Sequence, residues 1–433
     1  MIIIVEAQQM DFLRKIRYNK ITMRKKIAVQ IQSEVQFFSI APVLEELKKF
    51  PYNFTVIVDD CNWDKNGYKE MMKALITFIE NRGYKIKTVT ECKNDIFDLC
   101  LAPYMYRDIK AKCYLKYEYG TLNVKPNLTY IPEVLEGFHG FLCQSTVTAD
   151  LLAVYGKTFL VDNLRFFGKD KKKRLKRDKK VVLFAPTYND KEETEELAQM
   201  VKKMKEKYWV IIKGHHGTEY LKNNSKQKDV LISVADEYFG SETNLADLLV
   251  SADVFVSGNS SSIAEAIYAV VPCLIFAKEL DYFKLEDIHT TQFELVRDGF
   301  VPYCDNVNEI NEKIVEALST DVINKQKKLA NRFFPQKASG TKGYMETIRY
   351  FLEDETAQDY VKLHDFIIND RQKKIDGYIK KIEDIDNKYN VCLTELATKN
   401  SILENNSKKK LYKVADKIYK AKNKVSNGIQ KRI

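Results

Sequence analysis

Five small polar residues, Gly258-Asn259-Ser260-Ser261-Ser262, stand between an apolar stretch, Val254 to Ser257, and a helical pattern beginning near Ile263. The apolar stretch reads as a buried strand, so the segment runs strand, polar turn, helix and, at Cys273 to Ala277, strand again. Backbone N–H groups at a helix N-terminus, with hydroxyls beside them, suit a phosphate or pyrophosphate, and the carboxyl end of a parallel strand is where such ligands bind. Glu265, one turn in, is placed to hold ribose hydroxyls. Ser262-x-x-Glu265 is equally a capping box, which needs no ligand. The local pattern leaves both readings open.

Two further strand ends carry polar side chains. Val181 to Tyr188 ends in a Pro-Thr-Tyr turn that presents Thr187, and Trp209 to His216 ends in Lys213, His215 and His216. Lysine and histidine beside a helix N-terminus would neutralise a diphosphate without a metal. No Asp-x-Asp at a strand end offers carboxylates to Mg²⁺ or Mn²⁺, so neither metal nor cofactor is expected. Taken alone, Lys-x-His-His is also compatible with a surface turn.

Positioning these groups requires a sheet, and the pattern supplies two. Ile27–Ile31, Phe54–Val58, Tyr84–Val89, Ile96–Leu101, Phe138–Cys143 and Thr158–Val161 read as strands, with helices over Ala41–Phe50, Gly67–Asn81 and Thr146–Tyr155. After a lysine run, Val181–Ala185, Trp209–Lys213, Val230–Ser233, Val254–Ser257 and Cys273–Ala277 form a second series. Alternating strand and helix predict parallel sheets covered on both faces. The expected organisation is an N-terminal extension (1–26), an α/β domain (27–168), a basic linker (169–180), a second α/β domain (181–360), a coiled-coil helix (361–404) and a basic amphipathic tail (405–433).

The chain has 433 residues, 45% apolar and 30% charged, which excludes a mini-protein and a wholly disordered polymer. Its net charge of +10 is concentrated in two islands: nine basic and two acidic residues over 169–180, and ten basic residues with one Asp over 405–433. The remainder is mildly acidic, and neither island carries interleaved aromatics, so no nucleic-acid partner is expected. No stretch approaches the ~20 apolar residues of a membrane span, and the first 26 lack the charge order of a signal peptide; a cytoplasmic protein is expected. The eight cysteines, without C-x-x-C, read as free and mostly buried.

From Ile368, apolar residues recur every seven positions at Ile375, Ile382, Tyr389, Leu396 and Leu403, with Tyr378, Ile385 and Cys392 at the intermediate core positions. That is a coiled-coil seam, suited to self-association. The tail places Leu411, Val414, Ile418, Ala421, Val425 and Ile429 on one face of a lysine-rich helix, suited to an anionic membrane surface. A solvated basic terminus fits the same charges.

The order A-P-T-Y (185–188), I-I-K-x-H (211–215) and L-L-V-S-A-D-V-F-V-S-x-x-S-S (248–261), followed by a helix and Pro-Cys-Leu-Ile-Phe (272–276), resembles the CDP-glycerol glycerophosphotransferase family of teichoic-acid polymerases. The resemblance spans roughly 25–353. It implies the GT-B fold, two Rossmann-like domains facing a cleft, in which Ser260 and Ser261 match the family's paired serines and hold the donor pyrophosphate. His215 matches the histidine of its Lys-x-His-Pro motif, and Lys213, Thr187, Asn259, Ser262 and Glu265 complete the expected donor site. Tyr117-Glu118-Tyr119-Gly120-Thr121 looks like the family's aromatic-His-Gly-Thr loop, whose histidine is proposed to deprotonate the acceptor. Here that position is Tyr119, a poor base at neutral pH, so the adjacent Glu118 is the candidate, against its reading as a solvated surface Glu. The implied activity moves glycerol phosphate from a CDP-linked donor to a hydroxyl of a lipid-linked or polymeric cell-envelope glycan, at the inner face of the membrane.

Two departures keep other readings open. Gly258-Asn259 stands where the family has Asp-Tyr, and Ser260-Ser261-Ser262-Ile263-Ala264-Glu265-Ala266 also resembles the loop of UDP-N-acetylglucosamine 2-epimerases. A nucleotide-sugar transferase or epimerase is therefore one alternative, and a non-catalytic GT-B homologue scaffolding an envelope-synthesis complex is another.

Overall fold

The computed structural model describes residues 24–60, 68–103, 109–120, 135–169, 178–186, 191–220, 225–258, 260–277, 284–285, 288–289, 291–402 and 416–424. Thr187, Asn259, Cys61, most of the lysine run and most of the tail lie outside the described residues. Seven parallel strands make the first sheet: β1 (Lys26–Gln30), β2 (Asn53–Val58), β3 (Ile86–Thr88), β4 (Leu99–Ala102), β5 (Tyr114–Tyr117), β6 (Gly140–Cys143) and β7 (Lys157–Leu160), in the order β3-β2-β1-β4-β5-β6-β7. Six make the second: β8 (Val181–Ala185), β9 (Trp209–Lys213), β10 (Glu237–Phe239), β11 (Val254–Ser257), β12 (Cys273–Phe276) and β13 (Tyr303–Cys304), in the order β10-β9-β8-β11-β12-β13. Ile27 lies opposite both Phe54 and Leu99, and Val182 opposite both Val210 and Val254. Each sheet therefore reverses its order beside a central strand, and the crevice at the carboxyl ends of β1 and β8 is the ligand position of such sheets.

The strands of the second sheet are apolar on both faces because both are covered. Leu183, Phe255 and Ile275 enter one core, while Val182, Phe184, Val256 and Leu274 enter the other. This is why they read as unbroken apolar runs. The expected strand at Val230–Ser233 is instead part of a helix, Ser225–Val234, and the strand follows at Glu237–Phe239. Gln227, Leu231 and Val234 are buried there while Ile232 is exposed, a helical spacing that a four-residue apolar window does not reveal. β5 escaped the pattern because a buried lysine, Lys116, interrupts it.

Five helices position or flank the polar strand ends: α1 (Glu34–Leu47), α2 (Thr146–Leu152), α3 (Ser262–Ala269), α4 (Lys342–Glu353) and α5 (Glu355–Ile402). α1 starts seven residues before the expected Ala41 and carries Pro42 inside it. Its cap is Ser33, whose Oγ accepts from the Gln36 N–H at 3.4 Å. α4 returns to the first sheet: Phe351 stacks edge-on to Phe159 at 5.8 Å, and a Cβ on Gly140 would lie 3.1 Å from the Phe351 ring and 2.9 Å from Leu115. Glycine at 140 is thus what lets the helix close on β6.

Residues 359–433 form a separate compact unit. Ile368, Ile375, Ile382 and Tyr389 are half-buried along α5, whereas Tyr378, Ile385 and Cys392 are exposed on the single chain. Residues 416–424 are helical and turn back along α5: the Lys422 ammonium is 2.7 Å from Asp386 and 5.6 Å from the Tyr389 ring centre. No described helix is long and apolar enough to cross a membrane. Cys92, Cys100, Cys113, Cys143, Cys273 and Cys304 are free and buried, and burial pushes the Cys92 and Cys100 thiols up to about 11 and about 12.

Candidate functional site

The serine turn is tied to the sheet by its own hydroxyls. Ser257, at the end of β11, donates to the Ala185 carbonyl at the end of β8 at 2.6 Å and lies 3.2 Å from Ser262 Oγ. Ser262 in turn donates to Ser260 Oγ at 2.9 Å, and Ser260 Oγ accepts from the Ser262 N–H at 3.3 Å. Ser261 caps α3 only by position, with no side-chain hydrogen bond. The capping box does not form, because Glu265 points elsewhere: its carboxylate pairs with the Arg165 guanidinium. Glu265, only 1% exposed, does not cap the helix; burial raises its pKa, and Arg165 and Lys213 oppose that rise.

Arg165 was not legible as a site residue. It sits in a single turn, Leu164–Phe166, just after β7, so it comes from the first domain and enters the second. Its Nε donates to Asn244 Oδ1 at 3.2 Å, and Asn244 Nδ2 donates back to the Arg165 carbonyl at 3.0 Å. Next to it, Asp162 accepts from the Asn163 N–H at 2.9 Å, the Gly340 N–H at 2.8 Å and the Tyr268 hydroxyl. The two domains are therefore joined through a buried polar hinge. The Asp-Asn-x-Arg run at 162–165, just beyond the end of β7, is the signal that could have found it.

Lys213 ends β9 buried, with Nζ donating to the Gly214 carbonyl at 2.8 Å. Burial first, and the nearby Arg165 charge second, lower its pKa to about 8, while Glu242, Glu219 and Glu34 pull it back up. Gly214 permits this packing: a Cβ there would stand 2.1 Å from the Tyr238 hydroxyl, which donates to Glu219 at 2.7 Å. His215 is engaged locally, its Nδ1 accepting from the Gly217 N–H at 3.0 Å. The structure thus brings Lys213 and Glu265 together with Arg165, sets Ser260–Ser262 at the end of β11, with β8 between it and the Lys213 strand, and gives His215 a turn to hold.

At the first sheet, Glu118 follows β5 and is 3% exposed, which corrects its reading as a solvated surface residue. One carboxylate oxygen accepts from the Gln144 N–H at 2.5 Å, and the other is buried without a partner. Burial pushes its pKa up to about 7, with Lys116, Gln144 and Thr148 acting in the opposite direction. Tyr119 is half-buried beside it. These two residues stand on the first sheet, and among the described residues no hydrogen bond or ion pair joins Glu118 to the Lys213 group.

Residues 168–340 match the family model for CDP-glycerol:poly(glycerophosphate) glycerophosphotransferase. No curated protein matches the chain in sequence. Among solved structures, a Listeria monocytogenes protein described as a UDP-N-acetylglucosamine 2-epimerase superposes with a TM-score of 0.52 at 13% identity, over 77% of this chain and 98% of its own. MnaA of S. aureus, solved with UDP, gives 0.51 at 14% identity over 77% and 98%. The wall teichoic acid polymerase TagF gives 0.49 at 12% identity over 81% and 90%. The first two likenesses establish the GT-B arrangement of two Rossmann-like domains, and nothing finer. The residues matched by the glycerophosphotransferase model hold the entire second sheet, so the likeness to that family rests on the second domain.

Proposed function

We propose that the protein transfers glycerol phosphate, or a related polyol phosphate, from a CDP-linked donor to a hydroxyl of a lipid-linked or polymeric cell-envelope glycan. The observation that carries this reading is the coincidence of the family match with the domain whose strand ends hold Lys213 and the Ser260–Ser262 turn. The acceptor oxygen attacks the β-phosphorus, CMP leaves, and Lys213 with the turn's N–H groups and hydroxyls stabilises the charge that builds up. His215 holds the turn after Lys213, and Thr187 and Asn259 belong to the same donor site. The proton of the attacking hydroxyl passes to a carboxylate of the first domain. Glu118 is one candidate, for which Glu118→Gln lowers turnover more than Tyr119→Phe.

Replacing Ser260 and Ser261 together by leucine is expected to abolish CDP-glycerol binding while leaving the melting temperature near that of the parent. Calorimetric titration checks this, and unchanged donor affinity sinks the donor assignment. The Ser260–Ala266 loop favours a second reading, nucleotide-sugar chemistry on the same scaffold. Thermal stabilisation by UDP-sugars and not by CDP-glycerol would select it; a ligand at 100 times its Kd contributes about 2.7 kcal/mol.

The α5 seam supports self-association, and the basic residues of 405–433 support contact with an anionic membrane surface, each contributing about 1 kcal/mol near it. Truncation after Leu403 should release the protein from anionic vesicles at physiological salt and preserve its sedimentation coefficient class. Retention on the vesicles would shift that role to 169–180.

A further inference from the structure

Glu34 opens the first turn of α1, at the carboxyl end of the central strand β1, and is 1% exposed. Its Oε1 accepts from the Tyr220 hydroxyl of the second domain at 3.3 Å, and Ser241 Oγ donates to Tyr220 Oη at 3.5 Å. Its Oε2 is buried with no hydrogen-bond partner. Four residues earlier, the Gln30 side chain is fully buried with both its carboxamide oxygen and its nitrogen unpartnered. A buried carboxylate oxygen and a buried amide left unpaired each carry an uncompensated desolvation cost, which a folded protein retains where a ligand pairs them. What pairs both a carboxylate and a carboxamide is a neutral hydroxyl group, which donates to the one and exchanges bonds with the other.

Two other buried carboxylates of the first domain, Asp162 and Glu118, are placed less well. Both oxygens of Asp162 are occupied by hinge donors, and Glu118 is held by the Gln144 N–H and Thr148 just after β6, with the Lys116 charge acting on it from β5. Glu34 faces Lys213, the donor-side cation, across the domain boundary. We propose that Glu34 is the proton acceptor for the attacking hydroxyl, and that Gln30 holds the acceptor's adjacent hydroxyl beside it. The inference rests on the transferase reading. In the step, the acceptor oxygen forms a bond to the β-phosphorus of the donor and its proton passes to Glu34 Oε2. The bond from that phosphorus to the bridging oxygen breaks, and the electron pair leaves on CMP. Burial keeps Glu34 above the ordinary carboxylate range, as a base working near neutrality requires, with Tyr220 and Lys213 facing it and Arg165, Glu219 and Glu242 around Lys213.

The test measures CMP release from CDP-glycerol with glycerol as the attacking alcohol, alongside calorimetric CDP-glycerol binding, for the parent chain and for Glu34→Gln, Glu34→Asp and Glu118→Gln. Glu34→Gln keeps an acceptor for Tyr220, so donor affinity should stay within about twofold while turnover falls about 100-fold or more and loses its acidic limb. Glu34→Asp should recover part of the rate. Turnover of Glu34→Gln within threefold of the parent overturns the proposal, as does a loss of donor affinity that matches the loss of rate. If Glu118→Gln alone gives the rate loss with donor binding intact, the base is Glu118. Parent protein that binds CDP-glycerol but ignores Glu34 defeats this inference alone, whereas parent protein that neither binds it nor releases CMP defeats the transferase reading and this step with it.

Discussion

Arg165→Met is expected to destabilise the protein by about 3–5 kcal/mol in urea denaturation at neutral pH, more than any other single change at the hinge. The guanidinium is the charge partner of Glu265 and the hydrogen-bond partner of Asn244, and both Arg165 and Glu265 are almost fully buried. Removing it leaves a carboxylate in the domain boundary with one oxygen already unpaired, so Glu265 must either bear the desolvation cost or take up a proton. The double variant Arg165→Met with Glu265→Gln removes the uncompensated charge and should recover more than half of the loss. A single-variant cost below about 1 kcal/mol would show that water already reaches Glu265 and that the pair is not a buried one. The same pair joins the two domains, so small-angle scattering of the single variant should show a broader distribution of domain separations.

Glu118→Gln should have the opposite sign. In the folded protein burial holds this carboxyl protonated up to about 7, against an ordinary value of 4.5. Folding therefore takes up a proton between those values, and stability declines as pH rises through that window, reaching its full loss above 7. At 1.36 kcal/mol per unit the cost at pH 8 is about 3 kcal/mol, a shift in which the opposing Lys116 charge is already included. Glutamine still accepts from the Gln144 N–H and carries no charge to desolvate. The variant should thus be more stable than the parent at pH 8 by up to that amount, and the difference should shrink toward pH 5. Denaturation midpoints across pH 5 to 8 decide it; equal midpoints at pH 8 would mean that Glu118 ionises near its ordinary value and that its surroundings are wetter than the fold indicates.

Much of the second domain was legible because parallel strands buried on both faces are written as unbroken apolar runs. Val181–Ala185, Trp209–Lys213 and Val254–Ser257 form strands at those bounds, and the polar residues at their ends lie at the carboxyl edge where such sheets bind ligands. Where a charge was buried inside a strand, as at Lys116, or where a helix began on Ser33-x-x-Gln36 ahead of a proline, the pattern misled. That displaced helix start concealed Glu34. Ser262-x-x-Glu265 shows the limit most clearly. Sequence determined that a serine and a glutamate stand one turn apart on a helix following a buried strand, and that much is settled by period and propensity. Whether the glutamate turns back to cap the helix or away to meet a cation depends on Arg165, one hundred residues distant in the chain, and on an interior dry enough to make an ion pair outcompete a backbone N–H. Local spacing carries local preferences; the charge state and the partner of a buried group are properties of everything packed around it, and only the tertiary structure decides them.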